Sequence, residues 1–205
     1  FQIDEDAEYD NNDAGLAPKA AVTLRYPLAR SDNGVTQLIE PLAQFGWVGG
    51  NGLDVPNEES TRVEFDEGNL LSLSRFPAPD RSERGRTFAY GANWSRHDPD
   101  GWSANLTAAQ ILRGQSQSDF TQSSGLASKS SDILLAGQFR LNRGLALLGR
   151  TIIDEDFEIA KAEMRGFWSN DRLDLGGTYV WLDTDRGEDR PGPINELTLD
   201  GAFEV

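Results

Sequence analysis

Between Gln37 and Trp47 the sequence places Ile39, Pro41, Ala43, Phe45 and Trp47 on one side of a two-residue period and Glu40 and Gln44 on the other. An extended strand gives each of these sets its own face, so the segment is predicted to be a strand with one apolar and one polar side. It runs into a loop, 48–86, rich in Gly, Pro, Asn, Asp, Glu and Arg, before alternation resumes at Phe88. A loop of this length argues against an ordinary compact domain unless the loop is itself functional. Outer-membrane barrels accommodate it, because one rim carries short turns and the other long loops.

The same pattern repeats along the chain. Ala20, Val22, Leu24, Tyr26 and Leu28 oppose Thr23 and Arg25 ahead of an SDNG turn, and Phe88, Tyr90, Ala92 and Trp94 lead to a tight turn at 97–100. Trp102, Ala104, Leu106 and Ala108 oppose Ser103, Asn105 and Thr107, and a Ser/Gln-rich loop follows at 114–130. Ile133, Leu135, Gly137, Phe139 and Leu141 oppose Asp132, Gln138 and Arg140; after a turn at 142–144 come Leu145, Leu147, Gly149 and Thr151. Here Ala146, Leu148 and Ile152 make the strand apolar on both faces, so either its inner side touches another protein element or it packs in a soluble core. Ala160, Ala162, Met164, Gly166 and Trp168 then oppose Lys161, Glu163 and Arg165, a charged face expected to meet water because no core buries such a row unpaired. Leu173, Leu175, Gly177, Tyr179 and Trp181, a loop at 183–193, and Leu197, Leu199, Gly201, Phe203 and Val205 complete the series.

The predicted fold is therefore all-β: an antiparallel up-and-down transmembrane β-barrel section of about nine strands, with open edges that pair with further strands of a larger barrel. Most of the strands suit a tilted span of roughly 9–11 residues better than the usual globular strand of about five or six. Tyr26, Trp47, Trp94, Trp102, Trp168 and Trp181 near strand ends fit interfacial aromatic girdles. The chain opens on Phe1 without a signal-peptide pattern and reads as an internal section, one partial barrel domain over 1–205.

Composition agrees. Nineteen Lys plus Arg against 34 Asp plus Glu give a net charge of −15, and the hydrophobic fraction is 38%. Low hydrophobicity with high charge is the signature of disorder, but five Trp, ten Phe and four Tyr set in alternation contradict it. A barrel needs only one apolar face per strand. No apolar run approaches the 18 or so residues of a membrane helix, and strong acidity without a basic stripe weighs against nucleic acid as a partner. The chain has no cysteine, which removes disulfides, thiolate catalysis and cysteine-bound metals.

The segments LIEPLAQF, VPNEEST, EFDEGNLLSLSRF and the following DR…GR…YG, from Leu38 through Gly91, resemble the C-terminal barrel domain of the LPS-assembly outer-membrane protein family LptD (also called OstA or Imp). The later SDILLAGQFRLNRGLALLGR is compatible with it. The resemblance implies a single-chain barrel of roughly twenty-six strands that inserts lipopolysaccharide into the outer leaflet of the bacterial outer membrane. It implies an LptE-type plug lipoprotein in the lumen, an LptA-type periplasmic bridge reached through an N-terminal domain outside this chain, and neither enzymatic activity nor cofactor. Asn57, Glu58, Ser60, Glu64, Phe65, Asp66, Asn69, Leu70, Arg75, Phe76, Asp80 and Arg81 match the family-like loop pattern. They are expected to build a folded loop that caps or lines the lumen or contacts the plug. Arg25, Glu40, Gln44, Gln138, Arg140, Lys161, Glu163 and Arg165 are expected to line the lumen and help the polar sugar part pass while lipid tails leave sideways.

Two features carry less. Asp183, Asp185, Gly187 and Asp189 in DTDRGED cluster carboxylates on a tight turn, but the spacing departs from an EF-hand and reads as a solvated acidic loop, so no metal site is assigned. His97 is the only histidine and no G-x-S-x-G elbow occurs, which leaves it a turn residue. The competing readings are a generic porin or receptor barrel and a secreted β-rich carbohydrate-active enzyme; the enzyme would lack an exposed apolar band about 25 Å tall.

Overall fold

A computed structural model describes residues 15–50, 63–78, 81–117 and 119–204. Ten strands follow in order: β1 (Lys19–Arg25), β2 (Leu28–Asp32), β3 (Val35–Val48), β4 (Gly85–Asp98), β5 (Trp102–Arg113), β6 (Ile133–Leu141), β7 (Leu145–Ile153), β8 (Ile159–Ser169), β9 (Leu173–Leu182) and β10 (Ile194–Phe203). They form one open antiparallel sheet in the order β1-β3-β4-β5-β6-β7-β8-β9-β10, with β2 also on β3. This up-and-down order is that of a barrel section. The predicted strand from Ala20 to Leu28 is split, because both β1 and β2 pair with β3 and the ladder lapses between Arg25↔Leu42 and Leu28↔Ile39. Pro27 and Pro41 lie in that gap, and neither has an N–H to donate.

Short connections at 33–34, 99–101, 142–144 and 170–172 occupy one rim; the other carries 49–84, 114–132, 154–158 and 183–193. The 142–144 turn closes on Gly144, at φ +83°, where an added Cβ would lie 1.8 Å from the Ser169 carbonyl oxygen. Gly144→Ala is therefore expected to cost about 1–3 kcal/mol, read as a lowered unfolding midpoint in detergent; an unchanged midpoint would show that the turn relaxes freely.

The period-two faces emerge as predicted. Val22, Leu24, Phe45, Leu106, Met164, Leu197 and Leu199 are all exposed, on one side of the sheet. The buried cluster lies on the opposite, nominally polar side. Register aligns Leu42, Gly91, Ala109, Leu134 and Ile152 in one row across β3 to β7. Against this row pack Val63, Phe65, Leu70 and Phe76 from the 49–84 loop and Phe120 and Leu126 from the 114–132 loop. Burying side chains of this size stabilises by about 1.5–3 kcal/mol each, enough to hold the loops against this face. Of the two alternatives for β7, the first holds: Ile152 is buried against other elements of the chain on the inner face. A register shift between Ile152 and Ile153 also lets Ala160, expected on the outer side, pack against this cluster.

Candidate functional site

The 63–78 segment folds on itself before it touches the wall. In EFDEGN, the Asn69 N–H donates to Asp66 Oδ1 at 2.8 Å and the Asp66 N–H to Asn69 Oδ1 at 3.2 Å, so two short polar side chains cap each other's backbone. That turn sends Phe65 and Leu70 inward, 2% and 3% exposed. The family-like pattern thus contains turn formers and the apolar residues they aim.

Beneath it lies a buried charge group. Glu83 Oε1 accepts from Arg75 Nη1 at 2.8 Å and from the Arg75 backbone N–H at 3.0 Å, and Glu83 Oε2 lies 3.3 Å from Arg113 Nε on β5. All three side chains are 1–2% exposed. Arg75 Nη2 donates to the Leu70 carbonyl at 2.9 Å, and Arg113 Nη1 donates to the Leu126 and Ser128 carbonyls. Phe76 stacks on Phe120 with centroids 4.5 Å apart, and the Arg113 guanidinium lies 5.1 Å from the Phe120 ring. The carboxylate thus ties its own loop to the wall, and Arg113 with the Phe76–Phe120 stack ties in the second loop. Arg75 and Phe76 belong to the predicted loop set; Glu83 and Arg113 do not. Glu83 sits in the run RSERGR, where an acid between arginines was a local hint, whereas nothing in the sequence ties it to Arg113.

Farther along, the loop reaches the wall of β7 and β8. Glu64 lies 2.8 Å from Lys161 Nζ and 3.3 Å from Arg150 Nη2, Asp66 lies 3.7 Å from Arg150 Nη1, and Glu163 pairs with both cations. The Lys161–Glu163 face, expected to meet water, is thus partly covered by loop carboxylates. Gln44 is also not left to water: it accepts from Thr23 Oγ1 at 2.7 Å, donates to the Leu71 carbonyl at 2.7 Å, and is 6% exposed. Arg25 and Glu40 pair at 3.2 Å, and Glu40 continues to Asn93 at 3.4 Å. With its amide oxygen turned toward Arg140, Gln138 accepts from Nη2 at 2.9 Å and Nε at 3.1 Å. Arg165 is exposed on the same inner face. Arg81, in the same loop, is partly buried, and Asn57, Glu58, Ser60 and Asp80 fall outside the described residues.

The 183–193 loop also has a structural use for its acids. Asp185 accepts from the Gly187 N–H at 2.9 Å and from the Ser123 N–H at 2.6 Å, and Glu188 accepts from Thr121 Oγ1 at 2.7 Å, which ties this loop to 114–132. Burial opposes ionisation of Asp185, but these N–H donors and Arg190 outweigh it and hold its pKa below the usual value. His97 is exposed near the end of β4. Asp132, at the foot of β6, is different: burial, with Asp154 and Glu155 nearby, pushes its carboxyl up to about 6. A raised acid pKa means that the folded state holds the proton more tightly than the unfolded chain. Stability is then full below pH about 4 and is lost as pH rises through 6. Asp132→Asn is expected to gain about 1 kcal/mol over the parent at pH 8, after allowance for partial solvent screening, and nothing at pH 4. Paired denaturation curves at the two pH values would expose an equal effect, which would contradict it.

The inner face is thus divided by height. The row Leu42 to Ile152 is sealed under the folded loops. The next rows toward the short turns carry Glu40, Asn93, Thr107, Arg150 and Glu163, then Asn105, Gln138, Leu148, Arg165 and Thr178. A cavity of about 640 Å³ opens there. An apolar exterior, a polar interior and loops folded inward are the anatomy of an outer-membrane barrel, and comparison with known families matches residues 2–205 to LptD, LPS transport system D. The chain belongs to the LptD family. No curated protein matches it. LptD proteins are non-enzymatic transport barrels of the bacterial outer membrane that transport lipopolysaccharide and insert it into that membrane. The exposed apolar face of the sheet is accordingly the lipid face, and the porin and secreted-enzyme readings fall away.

Proposed function

We propose that this chain, as a partial LptD barrel domain over 1–205, supplies one wall of the lipopolysaccharide path together with a fixed cap over it. The carrying observation is that the described part of this loop, 63–78 with Glu83, is held by an apolar cluster and a buried Arg–Glu–Arg group rather than by surface contacts alone. Such a loop is a stopper, not a swinging lid, because releasing it would expose the cluster and leave buried charges unpaired. Of the family-like residues, Phe65, Leu70 and Phe76 anchor the cap, Asp66 and Asn69 shape it, and Arg75 locks it to Glu83. Asn57, Glu58, Ser60, Asp80 and Arg81 belong to the same loop. Below the cap, Arg25, Glu40, Gln138, Arg140 and Arg165 face the route of the sugar part, with Gln44, Lys161 and Glu163 at the cap's border. The lipid tails leave sideways. An LptE-type lipoprotein fills the remaining lumen, and an LptA-type bridge delivers lipid through a periplasmic domain of the parent protein.

The test exploits the absence of cysteine. In the full-length protein, Glu64→Cys and Lys161→Cys are joined by a short thiol crosslinker, which locks the loop to β8. Lipopolysaccharide insertion should continue undiminished. Loss of insertion on locking, with recovery when a cleavable linker is cut, would show that the loop must move.

A further inference from the structure

The polar rows below the cap contain an asymmetry of charge. Among the described residues, Arg25 pairs with Glu40, Arg150 with Glu163, Glu64 and Asp66, and Lys161 with Glu64 and Glu163. Arg140 is turned to Gln138. Arg165 has no carboxylate partner among the described residues. Its register neighbours are Leu148 on β7 and Thr178 on β9, and Glu163, two residues back on the same face, is already engaged by Arg150 and Lys161. The guanidinium lies 4.7 Å from the Phe167 ring, and the side chain lines the 640 Å³ cavity with Asn105, Gln138 and Thr178; Glu67 of the folded loop and Glu163 line the same cavity, and neither forms an ion pair with Arg165.

We infer that Arg165 is an anion-binding residue of this wall, taking a phosphate or carboxylate carried on a sugar, with the Asn105 and Gln138 amides and the Thr178 hydroxyl as partners for the sugar's own hydroxyl groups. The inference rests on the lumen reading above and names the group recognised there. A planar guanidinium presents two parallel N–H donors, which suits both anions, and stacking on Phe167 orients the fork without tying it to a carboxylate. The amide and hydroxyl side chains around it both donate and accept, as sugar hydroxyls require. Because the cavity is open and the contact is a single cation, binding is weak and exchangeable, which suits a group that must move on.

The experiment places a photocrosslinking residue at Thr178 in the full-length complex, with a second at Asn105, and scores adducts to lipopolysaccharide. With Arg165 intact, both positions give adducts. Arg165→Gln should reduce the Thr178 adduct about tenfold, the size of one charge-assisted contact, and Arg165→Lys should restore part of it. Lipopolysaccharide stripped of phosphate, or made without acidic sugars, identifies the anion: the preparation lacking it gives the low yield with Arg165 and no further fall with Arg165→Gln. Equal yields for Arg165, Gln and Lys in folded barrels, folding being scored by heat-modifiable mobility, would overturn the assignment. So would a Thr178 adduct to a protein partner in place of lipid. Absence of adducts from both positions in every variant would instead sink the lumen reading itself.

Discussion

Glu83→Gln is expected to destabilise the barrel by about 3–5 kcal/mol, the cost of leaving buried charge uncompensated. Arg75 and Arg113 have 1–2% exposed side chains, and Glu83 is the one carboxylate among the described residues that meets both. Glutamine keeps the volume and can still accept one hydrogen bond, but it cannot balance two guanidinium groups away from water. The measurement is an unfolding curve of the full-length protein in detergent, followed by heat-modifiable mobility, with protease cleavage within 49–84 as a local readout. Glu40→Gln is the control: its partner Arg25 has a half-exposed side chain, and such pairs contribute under about 1 kcal/mol. If the two variants unfold alike, the buried group is not what holds the cap.

Adjacent residues on one strand should respond very unequally to the same change. Leu134 is fully buried beneath the loops, and Leu135 next to it is exposed on the lipid face. Leu134→Ala is expected to cost about 2–5 kcal/mol, because a cavity opens in a cluster that can only partly collapse. Leu135→Ala should cost far less, since lipid fills the space. Placing a charge on the lipid face is another matter: Leu106→Arg, in the middle of β5, is expected to cost about 2–4 kcal/mol near the bilayer midplane. Unfolding curves in lipid bilayers distinguish these outcomes. A Leu134→Ala variant as stable as the parent would place the true core on the other face of the sheet.

Much of the architecture was legible because it is local. Phe45 and Trp47 against Gln44, or Met164 against Lys161 and Glu163, show a two-residue period that any strand must obey, and the tight turns at 33–34 and 142–144 are written in Asn and Gly. The family resemblance over Leu38 to Gly91 likewise rests on a contiguous stretch. The cap's anchors were partly legible, since Phe65, Leu70, Arg75 and Phe76 stand out within an otherwise polar loop. Glu83 was missed because its partner Arg113 lies beyond the intervening strand β4, and no periodicity connects the two. The break at Pro27 was also missed: the outward residues keep alternating through it, and only pairing with β3 reveals the lapse in the ladder.

What the sequence determined alone is which residues of each strand share a face, where the chain reverses, and which of the two faces can meet lipid. These follow from backbone geometry and side-chain type within a few residues. The tertiary structure decided what the polar face does. It turned the row from Leu42 to Ile152 into a buried floor by folding two loops onto it, set Glu64 against Arg150 and Lys161, and left Arg165 facing a cavity. Burial and charge pairing are properties of residues brought together across strands, so they arise only when the strands pair and the loops come back over the sheet.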